Sequence, residues 1–265
     1  MWMKLVPALT LGFGAAACDA APADRAQPAQ PIGNVPAPVA AAAEPLTLKA
    51  GDGVTVHGAY YRARAPKALI LLFHQAGSNK GEYAAIAPRL VGAGYSALAI
   101  DQRSGGDMFG GRNETVARLG RSAGYGDAKR DLAAALDWAG DKRLPVILWG
   151  SSYSGALLFP VAAENGGKAA ALLSFSPGEY LGGGDTVRRA AARVRVPVFV
   201  TSAKDAAEIQ AARTILAAVA SPDKTQFIPE LGGVHGSSTL IPALNPGGAE
   251  ANWRAVLAFL DRIVG

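Results

Sequence analysis

From Leu46 onward the hydrophobic pattern changes period several times. Leu46 to Ala50 and Val54 to Tyr61 alternate around Gly51-Asp52-Gly53, whose glycines supply the positive φ angles of a tight turn, so an antiparallel hairpin is predicted. Ala68 to Phe73 is then continuously apolar, as expected of a strand buried on both faces of a parallel sheet. Similar runs follow at Ser96 to Ile100, Val146 to Trp149, Ala170 to Phe175, Val196 to Val200 and Thr225 to Ile228.

Helical spacing separates these runs. Ala128, Leu132, Ala135, Leu136 and Ala139 share one face, as do Trp253, Val256, Leu257, Leu260 and Ile263. Alternating strands and helices predict a mostly parallel central sheet with helices on both faces. Pro88 and Pro160 fall inside helical patterns, where each removes a donor and favours a kink. Gln102 to Gly126, with Gly105, Gly106, Gly110 and Gly111, is too long for a simple connection and is expected to form a loop or lid beside the site.

Ahead of the hairpin the pattern is different. Met1-Trp2-Met3-Lys4, an apolar run from Leu5 to Phe13 and Gly14-Ala15-Ala16-Ala17-Cys18 follow the order of an export signal, over residues 1–17. That run is too short to span a bilayer as a permanent anchor. Cys18 is the only cysteine of the chain, so no internal disulfide can form. Its setting is similar to the lipobox of bacterial lipoproteins, with Ala15 in place of the usual Leu. That resemblance implies lipidation at Cys18 and a periplasmic or membrane-anchored protein, an ordinary cleaved secretory peptide being the other reading. Residues 18–45 are rich in Ala and Pro and read as a linker, leaving residues 46–265 as one domain.

With 26 basic and 21 acidic residues the net charge is +5, but the cations are scattered without an aromatic-laced stripe, so no nucleic-acid partner is expected. No phosphate-loop, His-Glu-x-x-His or cysteine-cluster motif is present, and neither a metal nor another cofactor is expected.

Candidate chemistry centres on Gly150-Ser151-Ser152-Tyr153-Ser154-Gly155, where an apolar strand runs into a small-x-Ser-x-small turn and then a helix. This is the pattern of a nucleophile elbow, with Ser152 as nucleophile and the Tyr153 amide as one oxyanion donor. A serine hydroxyl requires a base and a carboxylate to orient it. Of the three histidines, His57 sits in the hairpin, His74 is expected to shape a loop after its strand, and His235 lies in a glycine-flanked loop between the last strand and the last helix. His235 is therefore the candidate base. Asp205, just past Val196 to Val200, is the candidate acid, with Glu179 as competitor. A second oxyanion donor is expected from the backbone of Ala76 or Gln75.

Through His74-Gln75-Ala76-Gly77, Asp101-Gln102-Arg103-Ser104-Gly105-Gly106, the Ser152 elbow, Asp205 and His235, the chain resembles the dienelactone-hydrolase-related and serine esterase branches of the α/β-hydrolase superfamily. It departs from them in having Ser152 where dienelactone hydrolases usually carry cysteine, and Gln75 where many relatives have glycine. The resemblance implies an α/β-hydrolase fold, a brace at Asp101 and Arg103, and a serine hydrolase cleaving small-molecule carboxylic esters or related acyl compounds through an acyl-enzyme. Tyr153 after the serine is also similar to prolyl-oligopeptidase-type peptidases, which keeps an exported peptidase acting on short peptides as an alternative. A non-catalytic binding protein retaining the fold is the other, since fold alone does not establish function.

Overall fold

The computed structural model describes residues 42–265. The stretch read as an export signal, Cys18 and most of the Ala/Pro-rich stretch lie outside them. The elements run β1 (Ala43–Lys49), β2 (Thr55–Tyr61), β3 (Ala68–Phe73), α1 (Ala87–Gly92), β4 (Tyr95–Ile100), α2 (Glu114–Leu119), α3 (Lys129–Gly140), β5 (Val146–Ser151), α4 (Tyr153–Glu164), β6 (Ala171–Phe175), α5 (Thr186–Ala191), β7 (Val198–Thr201), α6 (Ala206–Ala218), β8 (Lys224–Phe227) and α7 (Ala249–Val264).

One sheet holds all eight strands in the order β1-β2-β4-β3-β5-β6-β7-β8. The first two pairings, β1 with β2 and β2 with β4, are antiparallel, and the rest are parallel. This is the α/β-hydrolase fold, with the predicted hairpin at its start. Strand β1 begins at Ala43, inside the stretch read as linker, because Ala43, Glu44 and Pro45 pair with Tyr61, Tyr60 and Ala59.

The apolar runs of β3 to β7 are explained by burial on both faces, whereas β8, at the edge of the sheet, is exposed to half-buried, which corrects the expectation for Thr225 to Ile228. Leu69, Leu71 and Phe73 of β3 face a core shared with α3, α4, α5 and α6, whereas Ala68, Ile70 and Leu72 face another shared with α1 and α7. Trp149, Phe175, Phe199 and Phe259 carry aromatic contacts through this second core, with ring centroids 4.5 to 6.3 Å apart.

One further local expectation is corrected. Pro88 stands in the first turn of α1, where the missing N–H removes no helical bond, so it opens that helix instead of kinking it. Pro160 does lie inside α4. Residues 102–126 contain α2 and 3-10 turns, and buried amides pin them: Asn79 Nδ2 donates to the carbonyls of Gly106, Met108 and Gly111, and Asn113 Nδ2 donates to that of Gln102.

The expected brace has two separate parts. Asp101 accepts from the Lys80 and Glu114 amides and from Lys80 Nζ. Arg103 binds buried Asp131 at the start of α3 and Asp52 in the hairpin turn, and that guanidinium holds the Asp52 carboxyl down to about 2.

Candidate active site

Strand β5 delivers Ser152 at the sheet's carboxyl edge, and α4 begins one residue later. Ser152 adopts φ 59° and ψ −122°, a conformation that costs a non-glycine residue free energy. The Ser152 N–H donates to the Phe175 carbonyl at 2.7 Å, which helps hold the turn. A Cβ on Gly150 would lie 2.5 Å from the Ser154 carbonyl oxygen and 2.6 Å from the Gly155 nitrogen, so the tightness of the elbow excludes a side chain there. Ser154 is accommodated by hydrogen bonds, its hydroxyl donating to the His74 carbonyl and accepting from Gln102 Nε2, both at 2.5 Å.

The loop carrying His235 is stitched to this elbow. The Ser237 N–H donates to Ser151 Oγ at 2.9 Å, the Gly236 N–H donates to Ser176 Oγ at 2.9 Å, and Trp149 Nε1 donates to Ser237 Oγ at 2.9 Å. Gly236 has φ +68° and packs against Ser151 Oγ so closely that a Cβ there would clash.

The carboxylate beside His235 is Glu208, with Oε1 2.8 Å from His235 Nδ1. Its second oxygen accepts the Ala203 N–H at 3.1 Å. The Glu208 hydrogen bond is the main cause of a raised His235 pKa, and although burial pushes the Glu208 carboxyl up, His235 and Ser176 more than offset it. Asp205 is therefore corrected as the histidine's partner. It is the N-cap of α6, its Oδ1 accepting the amides of Ala207 and Glu208 at 2.9 and 3.1 Å. Glu179 does not meet His235 either, because its carboxylate accepts the Val187 and Arg188 amides in the first turn of α5. Asp205-Ala206-Ala207-Glu208 has the spacing of a capping box, and that signal marks Asp205 as the cap with Glu208 one turn further on.

Of the two candidate oxyanion donors before the elbow, Gln75 is corrected as well. Its N–H donates to Glu82 Oε2 at 2.8 Å and is thereby occupied. The Ala76 N–H has no acceptor among the described residues. Tyr153 occupies the first position of α4, where a backbone N–H has no intrahelical acceptor. The Tyr153 hydroxyl is fixed by Gln102 Nε2 and Ser104 Oγ, and its ring stacks on Tyr125 at 4.4 Å.

His74 shapes this corner. The Gln102 N–H donates to His74 Nε2 at 2.9 Å, which leaves the ring proton on Nδ1 to donate to the Gln75 carbonyl at 2.8 Å. Burial lowers its pKa to about 4, so the ring is neutral near pH 7. His57 is buried in β2, 3.4 Å from Glu114. A cleft of about 600 Å³ adjoins it, lined by Asn79, Lys80, Glu114 and Arg118, and contains neither Ser152 nor His235. Among the described residues no cluster of three or more His, Cys, Asp or Glu is placed to hold a metal ion.

Residues 64–181 match the family model described as serine aminopeptidase, S33, a stretch that includes Ser152 and stops short of Glu208 and His235. No curated protein sequence matches the chain. Among solved structures, a dienelactone hydrolase from Anabaena variabilis is similar over 84% of this chain and 98% of its own, with 19% identity and a TM-score of 0.66. A cold-adapted esterase from an Arctic intertidal metagenomic library is 25% identical, over 83% of this chain and 93% of its own, with a TM-score of 0.57. An esterase from Pyrococcus furiosus is 16% identical over 84% and 93%, with a TM-score of 0.64. Sheet order, strained elbow and these matches give the chain the α/β-hydrolase fold.

Proposed function

We propose that this protein is a serine hydrolase of small carboxylic esters or related acyl compounds, acting through Ser152, His235 and Glu208. The observation that carries this reading is the 2.8 Å contact between His235 and Glu208, on a loop bonded to the strained elbow of Ser152. In the reaction, His235 Nε2 takes the proton of Ser152 Oγ as that oxygen attacks the acyl carbon. The Glu208 carboxylate holds the ring with its proton on Nδ1 and stabilises the imidazolium that forms. The Tyr153 and Ala76 amides face the developing oxyanion. His235 then gives its proton to the departing alcohol, and water, activated by the same histidine, releases the acid from Ser152.

Purified protein should hydrolyse short-chain aryl esters and take a fluorophosphonate label on Ser152. Ser152→Ala should remove both, by several orders of magnitude in rate. Full activity in Ser152→Ala would overturn the proposal. A correctly folded wild type that neither labels nor hydrolyses would favour a binding protein.

The aminopeptidase description of the matching family model favours one second reading, hydrolysis of short peptides. Side-by-side assays of aryl esters and aminoacyl amides separate the two, faster turnover of amides supporting the peptidase. The amino-terminal pattern adds export and a membrane tether through lipidated Cys18 to the proposal. Metabolic labelling with palmitate, lost in Cys18→Ser, tests it.

A further inference from the structure

Glu82 lies in the 3-10 turn Lys80–Tyr83, 1% exposed, and the reaction above gives it no part. A buried carboxylate is costly to keep and calls for a compensating role. Its Oε2 accepts the Gln75 N–H at 2.8 Å, while its Oε1 is buried without a partner. The bond to Gln75 is one of several around the two peptide groups flanking the Gln75 Cα. In the His74–Gln75 peptide, Glu82 holds the N–H and Ser154 Oγ donates to the carbonyl. In the Gln75–Ala76 peptide, the carbonyl accepts from His74 Nδ1 at 2.8 Å and from the Ser78 N–H at 3.2 Å. A trans peptide is planar, with its C=O and N–H opposed, so pinning the Gln75 carbonyl aims the Ala76 N–H the other way.

We infer that Glu82 is a positioning residue for the oxyanion site: by holding the Gln75 amide it fixes the turn that presents the Ala76 N–H to the reacting oxygen. This rests on the Ser152 reading and adds to it an acidic residue that touches neither substrate nor nucleophile. Burial raises the Glu82 pKa to about 7, offset in part by the Gln75 N–H and by His235.

The test compares Glu82→Leu, Glu82→Gln and Glu82→Asp with wild type, reading kcat and KM on a short-chain aryl ester, the rate of phosphonylation by a fluorophosphonate, and Tm. Glu82→Leu removes the acceptor and should lower kcat and phosphonylation by about 30-fold or more with KM within about threefold, the scale of a misplaced oxyanion donor. Glu82→Gln keeps an acceptor oxygen and should retain at least about a third of wild-type kcat. Glu82→Asp withdraws the carboxylate by about one bond and should cost kcat about 10-fold with little change in Tm; it decides the matter if Glu82→Leu does not fold. Wild-type kcat in Glu82→Leu or Glu82→Asp, or an equal loss in Glu82→Gln and Glu82→Leu, would overturn the inference while wild type still labels on Ser152. A wild type that does not label would instead overturn the Ser152 reading itself.

Discussion

His235 Nδ1 meets Glu208 Oε1 at 2.8 Å, one helical turn beyond Asp205, whose carboxylate caps the helix that carries Glu208. The two acids thus have different work, and substitution separates them. Glu208→Gln should lower kcat about 10³-fold or more with KM little changed, because an amide cannot stabilise the imidazolium. Asp205→Ala should leave kcat within a few-fold of wild type and lower stability by about 1 kcal/mol through loss of the cap. Ester kinetics and urea unfolding of both variants check this, and the reverse pattern would restore Asp205 as the acid.

The pH profile should have an acid limb set by His235, which must be neutral to act as base. Its pKa is raised, chiefly by Glu208, so the limb falls above the ordinary histidine value of 6.5 and activity rises as pH increases through it. In Glu208→Gln the residual activity should titrate at lower pH. A limb that stays in place would separate Glu208 from the titrating group.

In the proposed reaction Ser152 is needed as the nucleophile, whereas the fold carries its backbone strain at a cost. Ser152→Gly should abolish activity and raise stability by about 1 kcal/mol, the relief at φ 59° exceeding glycine's greater freedom in the unfolded chain. Urea midpoints for Ser152→Gly and Ser152→Ala measure the effect, and a loss of stability in the glycine variant would show that the elbow is unstrained.

Arg103 stands between Asp131, which is fully buried, and the hairpin turn at Asp52. Arg103→Met should destabilise the domain by about 3–5 kcal/mol, since it leaves the Asp131 charge buried without a partner. Adding Asp131→Leu should recover much of that loss. A double variant no better than the single would mean that the damage lies in packing.

Two buried groups make stability depend on pH in opposite senses. His74 has its pKa lowered to about 4, so the stability from its neutral ring is full above 6.5 and is lost as pH falls towards 4. Glu82 has its pKa raised to about 7, so its contribution is full below 4.5 and is lost as pH rises through 7. Each window spans about 3 kcal/mol. Relative to wild type, His74→Asn should gain stability as pH drops from 6.5 to 4, and Glu82→Gln should gain as it rises from 4.5 to 7. Differences that do not vary with pH would remove both groups from the titration.

Much of this arrangement was legible in the chain. Strands and helices follow from local periodicity, because residues that share a face must repeat with the geometry of the backbone, and the continuous apolar run of β3 could only belong between two cores. The elbow was legible for the same reason: Gly150, Ser152 and Ser154 are neighbours in sequence, and the strain is local. Three contacts were not. Which carboxylate reaches His235, which amide after β3 stays free, and what buried Glu82 holds each depend on residues that local pattern does not relate. Glu208 and His235 are 27 positions apart and meet only because α6 packs with its first turn towards the His235 loop. Sequence singled out Ser152 as candidate nucleophile and His235 as candidate base; tertiary packing decided which carboxylate meets His235 and which amide after β3 stays free, because a side chain's direction on a helix or loop is settled by what that element is packed against.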